Sequence, residues 1–254
     1  MSQPAGFSLP LSAPRRLIGD LLHFARQVPT VPVQRRMNLA AVAAAREVSA
    51  PKVGWSAIFT KAYALVAAAS PPLRRSYLSL PRPRLYQHPA NVATVAVERR
   101  FADEDAVFFA HLKEPEKLSL VDLHDRLRQF KDRPFEEVGA FRRALRTSRL
   151  PRPLRRLLWW VGLNAFGRKR AHYFGTFAVS AYGGLGAESL HPLSVLTTTL
   201  NYGPVGPDGA VDVRVVYDHR VMDGGTVARA LAELERVLTH EILAELRYLE
   251  AVAA

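Results

Sequence analysis

Apolar and polar residues alternate along this chain with two periods, and strands and helices interleave from end to end. Leu17, Ile18, Leu21, Leu22 and Phe24 share one face of a helix predicted over 15–27, which Pro29 and Pro32 close. A short strand follows over 31–37. Alanine-rich helices are predicted over 38–47 and 56–70, the second with Ser56 as its cap and Pro71-Pro72 as its stop. The β-rich runs 91–98 (NVATVAVE) and 105–112 (DAVFFAHL) precede a helix over 118–131 entered through Ser119. Three more strands are expected over 176–182, 193–200 and 211–217, with glycine-rich turns after the first two, and one long helix over 225–250 closes the chain. No repeat and no Ser, Gly or charge tract divides this succession, so a single α/β domain is the simplest organisation.

Composition narrows the chemistry. The 254 residues are 48% hydrophobic and contain no cysteine, which removes disulfides, thiolate metal sites and cysteine nucleophiles together. Catalysis must then fall to histidine, carboxylates, hydroxyls or backbone, and the absence of thiols suits a reducing cytoplasm. Met1 to Pro14 carries neither a secretory signal nor an anchor pattern, and Leu157–Leu163 (LLWWVGL) falls far short of the roughly 20 apolar residues of a spanning helix.

The net charge of +12 is concentrated in one place. Residues 126–170 hold fourteen Lys and Arg against Asp132, Glu136 and Glu137, and within them Arg155-Arg156 precede Leu157-Leu158-Trp159-Trp160. This pattern fits a solvated basic face beside tryptophans packed in a core or subunit interface. It also fits peripheral contact of 150–170 with an anionic membrane, or a site for coenzyme phosphates. Nucleic acid is disfavoured because no helix-turn-helix, RNP or zinc signature accompanies the charge.

The stretch Val211–Thr226 (VDVRVVYDHRVMDGGT) is the most informative. An alternating strand runs into Asp218, His219, Arg220, Val221, Met222, Asp223, Gly224 and Gly225, and then a helix. A strand end holds a side chain in a fixed place, and His219 can take and return a proton near neutral pH. Gly224 and Gly225 permit tight backbone turns or close approach of a ligand. General-base, metal and structural readings of His219 all fit the spacing, although no third ligand at a recognisable interval supports a metal.

The motif His-x-x-x-Asp-Gly at 219–224 resembles that of the catalytic domain of 2-oxoacid dehydrogenase acyltransferases, the dihydrolipoyl acyltransferases, whose fold chloramphenicol acetyltransferase shares. Other blocks are similar in the same order: Arg15-Arg16-Leu17-Ile18-Gly19, Val28–Val33, the Lys61-Ala62 helix, Asn91–Val97 and Gly175–Gly183 (GTFAVSAYG). The resemblance spans about residues 14–249 and implies a chloramphenicol acetyltransferase-like two-layer α/β sandwich with a mixed sheet. It implies His219 as general base toward an acceptor thiol or hydroxyl and Ser180 as the hydroxyl that stabilises the oxyanion. Asp223 and Arg15, or its neighbour Arg16, would form an ion pair holding the loop, with Asp218, Arg220 and Gly224 supporting the site.

The resemblance further implies acyl transfer from a CoA-type thioester, no metal, and a homotrimer whose active site lies between subunits. The chain departs from the family's usual members in having no recognisable lipoyl domain, subunit-binding domain or Ala/Pro-rich linker. It also interposes a basic, Trp-bearing insertion at about 135–170. A stand-alone cytoplasmic acyltransferase is therefore the leading expectation. Its alternatives are a non-catalytic trimeric scaffold and a core subunit working in trans with lipoyl proteins of a dehydrogenase complex.

Overall fold

The computed structural model describes residues 6–181 and 186–253. The chain begins with α1 (Ala13–Ala25), β1 (Thr30–Asn38), α2 (Ala40–Val48) and α3 (Trp55–Ala69). A hairpin of β2 (Arg75–Leu78) and β3 (Arg84–Gln87) leads into β4 (Val92–Phe101), β5 (Glu104–Lys113) and α4 (Leu120–Asp132). Three helices follow, α5 (Gly139–Ser148), α6 (Arg152–Asn164) and α7 (Gly167–Phe174), then β6 (Phe177–Ala181), β7 (Thr198–Tyr202), β8 (Ala210–Asp218), α8 (Gly224–Val237) and α9 (Leu243–Ala253). Six strands form one mixed sheet in the order β1-β8-β7-β6-β4-β5, in which β6 runs parallel to both β4 and β7 while the other pairs are antiparallel.

Strand alternation gives the sheet two unlike faces. Ala93, Val95, Phe177, Val179, Leu200, Tyr202, Val213, Val215 and Tyr217 build the main core with residues of α2, α3, α8 and α9. Their alternates Thr94, Ala96, Ala178, Ser180 and Thr199 look the other way, toward α1 and the helices of the basic insertion. The mixed sheet and its helical layer are those of the expected chloramphenicol acetyltransferase-like fold, and the insertion covers part of the second face.

Local chemistry accounts for where several elements differ from the pattern. Ser119 does cap α4, accepting from the Asp122 amide at 3.0 Å. Ser56 does not cap α3; Gly54 holds that position, and the Ser56 hydroxyl instead lies 3.1 Å from that of Tyr202. The strand expected over 193–200 starts only at Thr198, because Val195 and Leu196 leave the sheet to pack with Phe24 and Leu163. The single closing helix is broken by a π turn at Leu238–Ile242, where the Thr239 hydroxyl donates back to the Glu235 carbonyl at 2.8 Å. Between α7 and β6 the chain needs glycine: Gly175 has φ +93°, and a Cβ there would overlap the Thr94 hydroxyl.

The insertion is held by a buried ion pair. Arg155 of α6 donates to Asp20 of α1 through Nε at 2.5 Å and Nη2 at 3.3 Å, and to the Leu150 carbonyl at 3.1 Å. Both side chains are almost wholly buried, at 7% and 2% exposure, so removing one strands the other's charge. Asp20→Ala is expected to cost about 3–5 kcal/mol in urea unfolding. A loss below about 1 kcal/mol would mean that the pair does not anchor these helices.

Candidate active site

His219 stands on the turn that follows β8. Its amide donates to the Pro29 carbonyl at 3.1 Å, and Val221 and Met222, both buried, pin the loop to the core on the far side. The side chain remains half exposed at 49%, with Nδ1 3.7 Å from the Asp223 carboxylate, too long for a hydrogen bond. Asp223 immediately precedes α8 and is 89% exposed. The arrangement therefore presents an accessible imidazole on a fixed backbone.

Beneath it Asp218 is buried and heavily satisfied. Its carboxylate accepts from the Arg220 amide at 3.0 Å, from Arg220 Nε at 2.9 Å and from Nη2 at 2.8 Å, while the Arg220 guanidinium lies 4.4 Å from the Tyr77 ring centre. Arg170, from the insertion, is buried nearby and donates to the carbonyls of Tyr77, Leu163 and Val195 at 3.0, 2.8 and 2.7 Å. Burial pulls the Arg170 guanidinium down to about 10, a shift that the Asp218 charge opposes. Asp218 and Arg220 are thus tied to each other at the base of the loop. Arg170 escaped the sequence reading because it is one of fourteen basic residues that look alike on paper.

Ser180 lies on the second face of β6, where its strand carbonyl accepts from Asn201 Nδ2 at 2.8 Å. It lines a cavity of about 1020 Å³ bounded by α1, β4, β5, β6, β7 and the inserted helices. Leu17, Ile18, Leu21, Ala96, Phe109, Ala144, Leu157, Trp159 and Ala178 make most of this wall apolar. Trp159 stacks on Phe24 at 6.0 Å and abuts Phe174, whereas Trp160 and Leu157 keep 42% and 54% exposure. The Tyr182-Gly183 end of the matched block, and the glycine turn after it, lie outside the described residues. Among the described residues no helix is long and apolar enough to cross a membrane.

The expected pairs do not all meet within one chain. β6 and β8 run in opposite directions across β7, and Ser180 pairs through Asn201 with Arg214, five residues before His219. Strand geometry then separates Ser180 from His219 by roughly 20 Å. Arg15 does not pair with Asp223; its Nε lies 3.4 Å from Glu104 of β5. The reason is topological, since β5 and β8 are four strand spacings apart, again roughly 20 Å. Gly224 begins α8 with a Cβ site 3.4 Å from the Tyr217 hydroxyl.

A six-stranded mixed sheet of this order, with the histidine turn after its β8, has the fold of the chloramphenicol acetyltransferase-like acyltransferases. The dihydrolipoamide acetyltransferase of Azotobacter vinelandii superposes with a TM-score of 0.69 at 17% identity, covering 95% of this chain and 94% of that one. That structure served to examine the roles of a serine, a histidine and an asparagine four residues beyond the histidine in its catalytic mechanism. A probable dihydrolipoamide acetyltransferase from Listeria monocytogenes gives 0.67 at 15% identity over 92% and 94% of the chains, and a chloramphenicol acetyltransferase 0.53 at 13% over 90% and 96%. No protein-family profile and no curated protein sequence matches the chain.

Two other histidines flank the site as neutral groups. Burial pushes His88, whose Nε2 lies 2.9 Å from the Ser76 hydroxyl, down to about 4. Burial and then the Arg143 charge do the same to His111 on the cavity wall. Both bind a proton more weakly folded than unfolded. Their contribution is complete above the ordinary value near 6.5 and is lost as pH falls toward 4. Denaturation at pH 7 and pH 4.5 should show a loss of several kcal/mol, with about 3 kcal/mol per histidine as the ceiling. His88→Gln should flatten part of that acid limb; an unchanged limb would show that His88 is not buried neutral.

Proposed function

We propose that this protein is an acyltransferase that moves an acyl group from a CoA-type thioester to a thiol or hydroxyl acceptor. One observation carries the reading: an accessible histidine on a rigid turn, in a His-x-x-x-Asp-Gly setting, within an acyltransferase fold that also places a serine at a cavity wall. The His219 imidazole takes the proton from the acceptor as the acceptor's sulfur or oxygen bonds to the thioester carbonyl carbon. Negative charge then develops on the carbonyl oxygen, where the Ser180 hydroxyl donates to it. Collapse restores the carbonyl and breaks the carbon–sulfur bond, and the departing CoA thiolate regains the proton from the imidazolium. No acyl-enzyme forms, because both substrates meet in one site.

Separation of Ser180 from His219 within one chain favours a trimer in which Ser180 faces His219 of the partner subunit. Asp223 stands four residues beyond His219, the spacing of the asparagine examined in the A. vinelandii enzyme, with its carboxylate 3.7 Å from the imidazole. Intact His219 and Ser180 weigh against a non-catalytic scaffold. Thiol release from acyl-CoA donors over a panel of acceptors, dihydrolipoamide included, tests the proposal. Release should require an acceptor and fall about 10³-fold or more in His219→Ala. Acceptor-dependent release that survives the substitution would overturn His219 as base, and a folded protein with no release from any donor would favour the scaffold.

A further inference from the structure

We infer that the cavity beneath the inserted helices is a binding site for a long aliphatic acyl chain, so that the donor is a medium- or long-chain acyl thioester and not acetyl. The inference rests on the acyl-transfer reading for the role of Ser180 and otherwise on the cavity itself. At about 1020 Å³ it lies at the top of the range of about 300–1,000 Å³ typical of ligand pockets. An acetyl group by itself occupies little of this volume, and the largely apolar lining suits an alkyl chain.

Its chemistry is graded along its length. The walls are aliphatic and aromatic, from Ile18 and Leu21 of α1, Phe109 of β5, Ala144 of α5 and Val161 of α6. Ser180 stands on the wall formed by β6, so a thioester carbonyl whose oxygen meets that hydroxyl sits against the cavity wall, with the apolar lining within reach of its alkyl chain. At the rim Arg15, Arg143 and Lys169 are exposed cations, with Glu98 and Asp105 the exposed carboxylates among them. Arg143 and Lys169 suit the phosphates of a coenzyme thioester that remain in water while its chain is buried, whereas Arg15 lies beside Glu104. Leu157, Leu158 and Phe166 form an exposed apolar lip, at 54%, 49% and 53%, where a chain can slide in. The lining is not wholly apolar: the His111 imidazole is held neutral by burial, and its Nδ1 and the Thr199 hydroxyl have no partner among the described residues, two polar spots on an otherwise largely apolar wall.

The insertion is what makes the cavity. Without α5, α6 and α7 the second face of the sheet at Ala96, Phe109 and Ala178 would lie open on that side. The Asp20–Arg155 pair, together with Trp159 and Leu163 packed against Leu21 and Phe24, then reads as the fastening of that roof.

Titration calorimetry of acetyl-CoA and dodecanoyl-CoA, without acceptor and below micelle-forming concentration, tests this on the intact protein. Each buried methylene multiplies affinity by roughly fourfold, so dodecanoyl-CoA should bind at least about 100-fold more tightly. Ala144→Trp should cut that ratio at least about tenfold by filling the hollow, and Ala96→Leu on the opposite wall should do so if the first variant does not fold. Equal affinity for the two donors, or a ratio untouched in folded Ala144→Trp and Ala96→Leu, overturns the inference. The two readings fail separately. Chain-dependent binding without turnover by any acceptor upholds the cavity and defeats acyl transfer, while His219-dependent acetyl transfer with no chain-length preference does the reverse.

Discussion

The antiparallel step between β7 and β8 sets where chemistry can occur in this molecule. Because β6 runs parallel to β7 and β8 against it, the strand ends carrying Ser180 and His219 leave the sheet at opposite edges. No side-chain rotation spans that distance, and a loop could do so only by unpairing a central sheet whose strands are buried on both faces. A histidine and an oxyanion donor built into such a sheet can cooperate only if a second copy brings the complementary edge. Strand direction therefore favours a site shared between copies, which the proposed trimer would provide.

The second constraint is strand alternation. In Phe177–Ala181 the odd residues Phe177 and Val179 belong to the main core, which commits Ala178 and Ser180 to the other face. That face would be a conventional half-exposed sheet surface without the basic insertion. Three helices fold over it, fastened by Asp20–Arg155 at one end, while Arg170 joins the last of them to the carbonyls beside the Asp218–Arg220 pair under the histidine turn. One charged segment therefore both roofs the cavity and buttresses the loop that carries His219.

These relations were unequally legible in the sequence. The histidine turn was readable because its determinants are local: an alternating strand, a motif of six residues and a glycine-started helix. The Arg15–Asp223 pair that the resemblance implied does not form within the chain; sequence order says nothing of the four strand spacings between β5 and β8. The inserted helices were masked by their own charge, although Leu154, Leu157, Leu158 and Val161 keep the spacing of a helical face. The cavity had no local signature, since its walls come from α1, four strands and the insertion, brought together only by packing. The π turn in the closing helix lies where the Thr239 hydroxyl turns back on its own helix.

A site shared between protomers makes one demand that no single-chain site makes. His219→Ala and Ser180→Ala subunits, each nearly inactive alone, should regain activity when denatured together and refolded. In randomly mixed trimers about a quarter of the sites combine an intact histidine with an intact serine from a neighbour, so transfer should return to about that fraction of the wild-type rate. Recovery absent from mixtures that have reassembled, or wild-type activity in a protein that sediments as a monomer, would contradict the shared site.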